Sequence, residues 1–316
     1  KVHSLCTRLI PHNLDREILR RFLTTMCRPS LCYGATLSTL SELQWKNLQS
    51  RLINTILTKL HVCRTTPRAV VHAPQTSGGL GVPDGFAEQG AQHTIALMKH
   101  IRAQSTVGAH LLTMIKWVHQ LSGYQLPPLE DTHKPMPHVY APWVETTRSY
   151  LAECHSHVTM MQVPQIQMAR THDRCIMDWA YSKAYTPIQM KQINACRIYL
   201  NAVRLSDLTT GDGKSFQPSL YAKPPQLQNT SLHSWPYQPL PGQRSWSIFY
   251  QLLRSITFPA STRLRTALGK WHTHPKDIRW QYYWDNTSNR LWTYTPPAWS
   301  FYSVNPNIHR HTLRIP

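Results

Sequence analysis

Two short pairs of side chains combine the residue types that bind zinc. Cys154 and His157 are separated by two residues, as are His172 and Cys175, and 14 residues lie between the pairs. Thiolate and imidazole groups at such spacings hold Zn²⁺ in structural fingers. Because the chain contains 18 histidines and seven cysteines, such spacings also arise by chance. The prediction is therefore that the chain binds no metal. If it does bind one, these four residues are the candidate ligands.

A carboxylate next to a lysine forms a second candidate for chemistry. Asp212-Gly-Lys214 has the acid-x-Lys pattern of metal-dependent nuclease sites, and its partner acid would be Asp207 or Asp178. Asp207 lies only five residues upstream in the same predicted loop, which favours a solvated turn. A metal-dependent endonuclease is therefore an alternative to the main prediction.

The main prediction comes from lysine and arginine. The chain holds 34 of them against 15 acidic residues, a formal charge of +19 over 316 residues. The excess is spread along the chain, with 14 basic and five acidic residues in 1–126 and 20 basic and ten acidic residues in 127–316. Such a distributed excess favours a polyanionic partner, and nucleic acid is the usual one.

Helices are expected to present these cations, because apolar residues in the first 126 positions recur at helical spacing. The series Leu14, Ile18, Phe22 and Met26 predicts one helix, which we expect Pro29 to end.

Further helices are predicted from their caps. The segment 39–42, Thr-Leu-Ser-Glu, has the pattern of a capping box. After a glycine-rich turn, Asp84 is expected to cap one helix and Ser105 or Thr106 the next, which Gly123 ends. The cations that lie off the apolar stripes are the predicted nucleic-acid-binding residues: Arg16, Arg20, Arg21, Lys46, Arg51, Lys59, Lys99, Arg102 and Lys116.

Proline and aromatic residues organise the rest of the chain. Residues 127–142 contain five prolines and predict a linker, and residues 143–258 are predicted to be mostly helical. Residues 259–316 are rich in aromatic side chains that alternate with others, which predicts a small β-rich part. An aromatic-stabilised sheet is the favoured interpretation. Stacking of unpaired bases is an alternative, for which the candidates are Trp280, Tyr282, Trp284 and Trp292.

Several stretches resemble the region downstream of the polymerase palm in non-LTR-type retroelement reverse transcriptases. Together they cover most of the chain. They are the glycine-rich turn and helical hairpin at 76–123, with Gly-Gly-Leu-Gly at 78–81 and Glu-Gln-Gly at 88–90, the segment Arg-Pro-Ser-Leu-Cys-Tyr-Gly at 28–34, and the segments 194–200 and 205–213.

The resemblance implies that residues 1–126 form a thumb that grips a template–primer duplex, with RNA or an RNA–DNA duplex as partner. In that family the palm aspartates hold Mg²⁺, and two of them are adjacent. This chain has no Asp-Asp pair, so we expect it to use no cofactor and not to catalyse alone. The palm and fingers would lie upstream in the same polypeptide, and since the sequence begins at Lys1 and not at Met, we expect a piece of a longer protein.

The expected fold class is mainly α with a small β-rich C-terminal part: a helical thumb-like bundle, then an α+β region ending in an aromatic β-hairpin or meander. Residues 282–296 also resemble, distantly, a WW module, so a proline-peptide interaction module is a further alternative. Seven scattered cysteines favour a reducing intracellular compartment, the nucleus or the cytoplasm. The apolar runs are too short to cross a bilayer, so no membrane partner is expected.

Overall fold

The computed structural model describes residues 2–12, 15–218, 220, 235–270, 282–285, 290–293 and 310–312. This part of the chain is mainly helical, which confirms the predicted class at that level. Its helices are α1 (Val2–Leu9), α2 (Arg16–Phe22), α3 (Arg28–Cys32), α4 (Glu42–Lys59), α5 (Arg68–His72), α6 (Gly85–Arg102), α7 (Thr106–Ser122), α8 (Pro142–Glu153), α9 (Ile176–Ser182), α10 (Pro187–Tyr199) and α11 (Gln243–Arg254).

The chain packs as two compact units. The first unit is Lys1–Leu112 with Ala141–Val158, and the second is Thr113–Tyr140 with Thr159–Pro316. The division falls within α7, at Ala141 near the end of the predicted linker 127–142, and after Val158. None of the described helices combines the length and the apolar character that crossing a membrane requires.

In the first unit, Pro29 does not end the first predicted helix, and that prediction was wrong. One π-helical turn, Leu23–Cys27, connects α2 directly to α3. Pro29 lies in the first turn of α3, directly after the π-helical turn in which the Arg28 N–H donates to the Leu23 carbonyl, and a proline within a helical run requires such a local adjustment of the hydrogen bonds. The run buries one apolar side against the core through Leu19, Leu23 and Cys27.

The capping box of α4 lies two residues later than predicted. The Ser41 hydroxyl accepts from the backbone N–H of Gln44 at 3.3 Å, and the Gln44 side chain accepts from the backbone N–H of Ser41 at 2.8 Å. These two bonds satisfy donors that the first turn of a helix leaves without partners. Downstream, α4 buries one stripe, formed by Trp45, Gln49, Leu52, Ile53, Ile56 and Leu57.

The predicted caps of α6 and α7 are confirmed. The Asp84 carboxylate accepts from the backbone N–H of Phe86 at 3.0 Å. Ser105 is the N-cap of α7, because its hydroxyl accepts from the backbone N–H of Gly108 at 3.2 Å. Gly123 ends α7 in the left-handed region, with a φ of +63°.

The second unit has its core between α9, α10 and α11, with Trp179, Phe216 and Phe249 almost fully buried. The proline-rich stretch 127–142 is packed, because Leu129 is fully buried and the Pro135 carbonyl accepts from the Tyr124 hydroxyl at 2.8 Å. Up to Tyr140 this stretch belongs to the second unit.

Three short strands are described near the C-terminus. Strand β1 (Tyr282–Asp285) pairs antiparallel with β2 (Arg290–Thr293), and β2 pairs parallel with β3 (Arg310–Thr312). Most of residues 271–316 lie outside the described residues. The β-rich C-terminal part therefore stays a prediction.

Candidate nucleic-acid interface

Six of the nine predicted binding cations are exposed. They lie on α2, α4 and α6 in the first unit. Each of these helices buries apolar residues on another side, in the core of the unit. The charges therefore face solvent on helices whose backbone is fixed by packing. The six are Arg16, Arg21, Lys46, Arg51, Lys99 and Arg102.

Neighbouring carboxylates take up part of this charge. Glu17 lies 3.6 Å from Arg20 and 3.7 Å from Arg21. Lys46 pairs with Glu42 on the same face of α4, and this hydrogen bond raises the pKa of Lys46. Exposed pairs of this kind contribute about 0–1 kcal/mol each, so phosphate groups can displace them.

Two of the nine residues have other surroundings. The Lys59 ammonium donates to the carbonyls of Ile10 at 2.7 Å and His12 at 2.9 Å, so it closes the chain after α1 onto the end of α4. Lys116 is half-buried, and burial lowers its pKa. It also belongs to the second unit. The structure therefore does not group these two with the six exposed cations.

Two stretches that carry the family resemblance come together in the first unit. In α3 the Arg28 guanidinium lies 2.9 Å from the Glu88 carboxylate of α6. The Cys32 thiol donates to the same carboxylate at 3.4 Å. The segments 28–34 and 88–90 thus share an ion pair that ties α3 to α6.

Gln89, next to Glu88, joins α6 to the segment ahead of α4. Its side-chain oxygen accepts from the indole N–H of Trp45 at 2.9 Å and from the backbone N–H of Leu40 at 3.3 Å, and it also contacts the Ser38 hydroxyl. Its amide nitrogen donates to the Leu40 carbonyl at 2.9 Å. Since Gln89 is fully buried, these bonds supply the partners that water cannot.

Gly90 lets α6 approach α8. A Cβ at Gly90 would lie 2.0 Å from the Tyr150 ring, so no larger residue fits without a shift. One turn later His93 hydrogen-bonds the Thr147 hydroxyl at 2.9 Å and stacks on Trp143 at 4.6 Å between ring centroids. Together these contacts hold α6, which carries Lys99 and Arg102, rigidly within its unit.

The conspicuous arginine of the 194–200 stretch is structural. Arg197 is fully buried in the second unit. Its guanidinium donates to the Asn194 side chain at 2.7 Å and to the carbonyls of Gln120, Leu121 and Ala202 at 2.9–3.3 Å. Arg197 therefore provides hydrogen-bond donors to the last carbonyls of α7 and is not available to a phosphate.

The carboxylates of the nuclease alternative each have other partners in the second unit. Asp207 is buried and lies 3.2 Å from Arg204. Asp212 is exposed in a turn, where it accepts from the backbone N–H of Lys214 at 3.0 Å, and its hydrogen bonds lower its pKa. Asp178 lies 2.6 Å from the Lys134 ammonium. Each acid thus has a structural partner of its own, and the solvated-turn interpretation of Asp212 is confirmed.

The two pairs of zinc candidates fall in different units. Cys154 and His157 belong to the first unit, whereas His172 and Cys175 belong to the second. Burial raises the pKa of the Cys175 thiol well above its ordinary value, which disfavours the thiolate that a metal needs. Within the described ranges no three His, Cys, Asp or Glu side chains are grouped to hold a metal ion.

The base-stacking candidates cannot be placed as side chains. Trp280 lies outside the described residues, and only the backbone is described for Tyr282 and Trp284 in β1 and Trp292 in β2. Base stacking by these four residues therefore stays a prediction.

The sequence-based reasoning missed a group of exposed arginines in the second unit. Arg254, Arg263 and Arg265 lie at the end of α11 and in the hairpin that follows. A signal was available, since no Asp or Glu occurs between Asp212 and Asp277. No carboxylate nearby in sequence can therefore neutralise these three.

Comparisons with known proteins return nothing for this chain: no family model, no curated protein and no solved structure matches it. The family therefore remains an inference from the resemblance of residues, and the function has to be argued from the exposed charges.

Proposed function

We propose that this chain is the nucleic-acid-binding thumb and post-thumb portion of a non-LTR-type retroelement reverse transcriptase. The observation that carries the proposal is the set of six exposed cations on α2, α4 and α6, the three helices that build the core of the first unit. The expected partner is RNA or an RNA–DNA duplex.

The physical basis is the phosphate backbone. A cation on a packed helix has a fixed backbone position, so less conformational entropy is lost when it meets a phosphate. Contacts of this kind set register and orientation and carry no base information. The chain is therefore expected to grip a duplex without regard to its sequence.

The chain is not proposed to catalyse by itself. Mg²⁺ would act in the palm of the parent protein, where adjacent aspartates hold it. Three candidate carboxylates do not fit that group, because Asp178, Asp207 and Asp212 are each bound by a lysine, an arginine or a turn. The palm and fingers of the same polypeptide are the proposed partners. The proposed compartment is reducing and intracellular, in the nucleus or the cytoplasm.

The C-terminal part of the proposal concerns residues 259–316. We propose a small β-rich region there that its aromatic side chains stabilise, with stacking of unpaired bases on those side chains as the alternative. It would complete the α+β region that follows the thumb.

The test removes three exposed charges that form none of the ion pairs described above. Arg16→Ala, Lys99→Ala and Arg102→Ala are combined in one variant, and its affinity for an RNA–DNA duplex is measured by fluorescence anisotropy at several salt concentrations. We expect the slope of log affinity against log salt to fall by up to about 2.7, roughly 0.9 for each phosphate contact. Duplexes of different sequence should be weakened equally.

A matched variant removes the same charge from the second unit. Lys183→Ala, Lys191→Ala and Arg244→Ala change three exposed cations that the proposal does not use. We expect this variant to retain most of the duplex affinity. Equal losses in both variants would mean that total charge, and not the surface of the first unit, determines duplex binding.

A further inference from the structure

A surface cavity of about 540 Å³ opens at the C-terminal end of α11, in the second unit. A tight hairpin builds its wall, because Thr257 and Leu264 form an antiparallel bridge and the backbone N–H of Phe258 donates to the Arg263 carbonyl at 3.0 Å. At the turn, Ala260 has a left-handed φ of +52°. The cavity is lined by Arg254, Thr257, Phe258, Pro259, Ala260, Ser261, Thr262 and Arg265.

Two of the lining residues, Arg254 and Arg265, make the cavity cationic. The Nε of Arg265 donates to the Thr257 carbonyl at 2.9 Å, which fixes the guanidinium and leaves its terminal N–H groups for a ligand. Arg254 has no hydrogen bond or ion pair from its side chain to the described residues. Planar guanidinium groups that are held in this way suit the oxygens of a phosphate.

The C-terminal end of α11 repels an anion, but this effect is weaker than the attraction of the two arginines. The last carbonyls of α11 carry the equivalent of about half a negative charge, whereas the two guanidinium groups carry two positive charges. Among the residues that the structure describes, no Asp or Glu lines the cavity, so none of them neutralises the arginines there.

The remaining lining adds a hydroxyl and an aromatic face. The Ser261 hydroxyl accepts from the backbone N–H of Arg263 at 3.0 Å, and a hydroxyl that accepts one hydrogen bond still has its own proton to donate. Phe258 is 46 % exposed, which is high for an aromatic side chain. An exposed aromatic ring beside a phosphate site is the combination that binds a base together with its backbone.

We propose that this cavity binds one nucleotide of a single-stranded nucleic acid, with its phosphate between Arg254 and Arg265 and its base stacked on Phe258. The volume is within the range of small-ligand pockets, about 300–1,000 Å³. This site goes beyond the proposed function, because the duplex contacts lie on α2, α4 and α6 of the first unit. The two proposals can fail independently.

The test measures binding of a fluorescent oligouridylate of roughly eight nucleotides to the full chain. Arg254→Ala with Arg265→Ala should weaken binding at least tenfold and lower the salt slope by about 1.4, roughly 0.7 for each contact on a single strand. Phe258→Ala should weaken binding roughly tenfold by loss of stacking. Circular dichroism confirms that each variant is folded, and Arg254→Ala alone tests the site without touching the Arg265 bond within the hairpin.

Arg263→Ala is the matched control, because Arg263 is exposed in the same hairpin but does not line the cavity. It should change the affinity less than twofold. Equal losses for Arg263→Ala and Arg254→Ala, or no loss for Phe258→Ala, would overturn the proposal. So would variants that lose binding to phosphatidylserine vesicles while oligouridylate binding is unchanged. A 4-thiouridine oligonucleotide that crosslinks to a peptide containing Phe258 would support it.

Discussion

The guanidinium of Arg197 lies where a side chain at position 123 would begin: a Cβ added to Gly123 would be 2.7 Å from Cζ of Arg197. Gly123 has a φ of +63° at the end of α7. Arg197 donates to the carbonyls of Gln120 and Leu121 in the last turn of that helix. Burial lowers the pKa of Arg197 to about 10, so it stays charged at neutral pH. The glycine and the arginine thus form one helix end.

We therefore expect Gly123→Ala to destabilise the second unit strongly. An alanine at this φ costs about 1 kcal/mol, and moving a buried guanidinium from its carbonyl partners adds about 1–3 kcal/mol. The free energy of unfolding in urea should fall by about 2–4 kcal/mol. Gly34→Ala is the control, since nothing lies within 4 Å of a Cβ at Gly34, and it should change stability by less than about 0.5 kcal/mol. A Gly123→Ala protein as stable as Gly34→Ala would contradict this account.

Gln89→Ala should destabilise the first unit by about 2–4 kcal/mol. The substitution leaves the buried Trp45 indole N–H without a partner, which costs about 1–3 kcal/mol, and the loss of the bond to the half-buried Leu40 carbonyl adds about 1 kcal/mol. Chemical unfolding followed by tryptophan fluorescence measures the effect. Gln92→Ala on the same helix is the control, because Gln92 is only partly buried. The prediction fails if both substitutions give the same midpoint.

Acid should destabilise the second unit through one buried and one half-buried histidine, His119 and His138. Burial lowers the pKa of His119 and of His138 to about 4 each, below the value of about 6.5 in the unfolded chain. The Nε2 of His119 donates to the Tyr124 carbonyl at 3.0 Å, and that of His138 to the Ser122 carbonyl at 2.9 Å. Both rings are therefore neutral in the folded state at neutral pH.

The sign follows from proton binding. The unfolded chain takes up protons first, so the stability that these rings contribute is fully present above about pH 6.5 and is lost as the pH falls towards 4. Each histidine contributes a slope of up to about 1.4 kcal/mol per pH unit in that interval. His138→Gln keeps a donor for Ser122 and should remove one of the two slopes in urea unfolding between pH 7 and 4.5. Parallel stability curves for the variant and the native chain would refute the assignment.

Much of the local structure could be predicted from the sequence. Asp84 and Gly123 lie at helix ends because short polar side chains satisfy the first N–H groups and glycine adopts a positive φ, and both are local rules. The exposure of Arg16 and Lys99 follows equally from apolar spacing on their own helices. The prediction that Pro29 ends the helix was wrong, because the effect of a proline depends on the turn that precedes it. Pro29 follows the π-helical turn Leu23–Cys27 and lies in the first turn of α3.

Tertiary packing decided what each charged residue is for. Arg197 and Lys59 look like Arg16 in the sequence, but the first is buried on helix-end carbonyls and the second is bonded to Ile10 and His12. Composition fixed the excess of positive charge, because charge is a sum over residues. Only the fold separates the cations that hydrogen-bond backbone carbonyls from those that face solvent. The carbonyls that Arg197 and Lys59 bind belong to residues far away in the sequence, so these contacts depend on tertiary packing. For the same reason the sequence did not reveal the cavity that Arg254 and Arg265 line, because the two belong to one cavity only in the folded hairpin after α11.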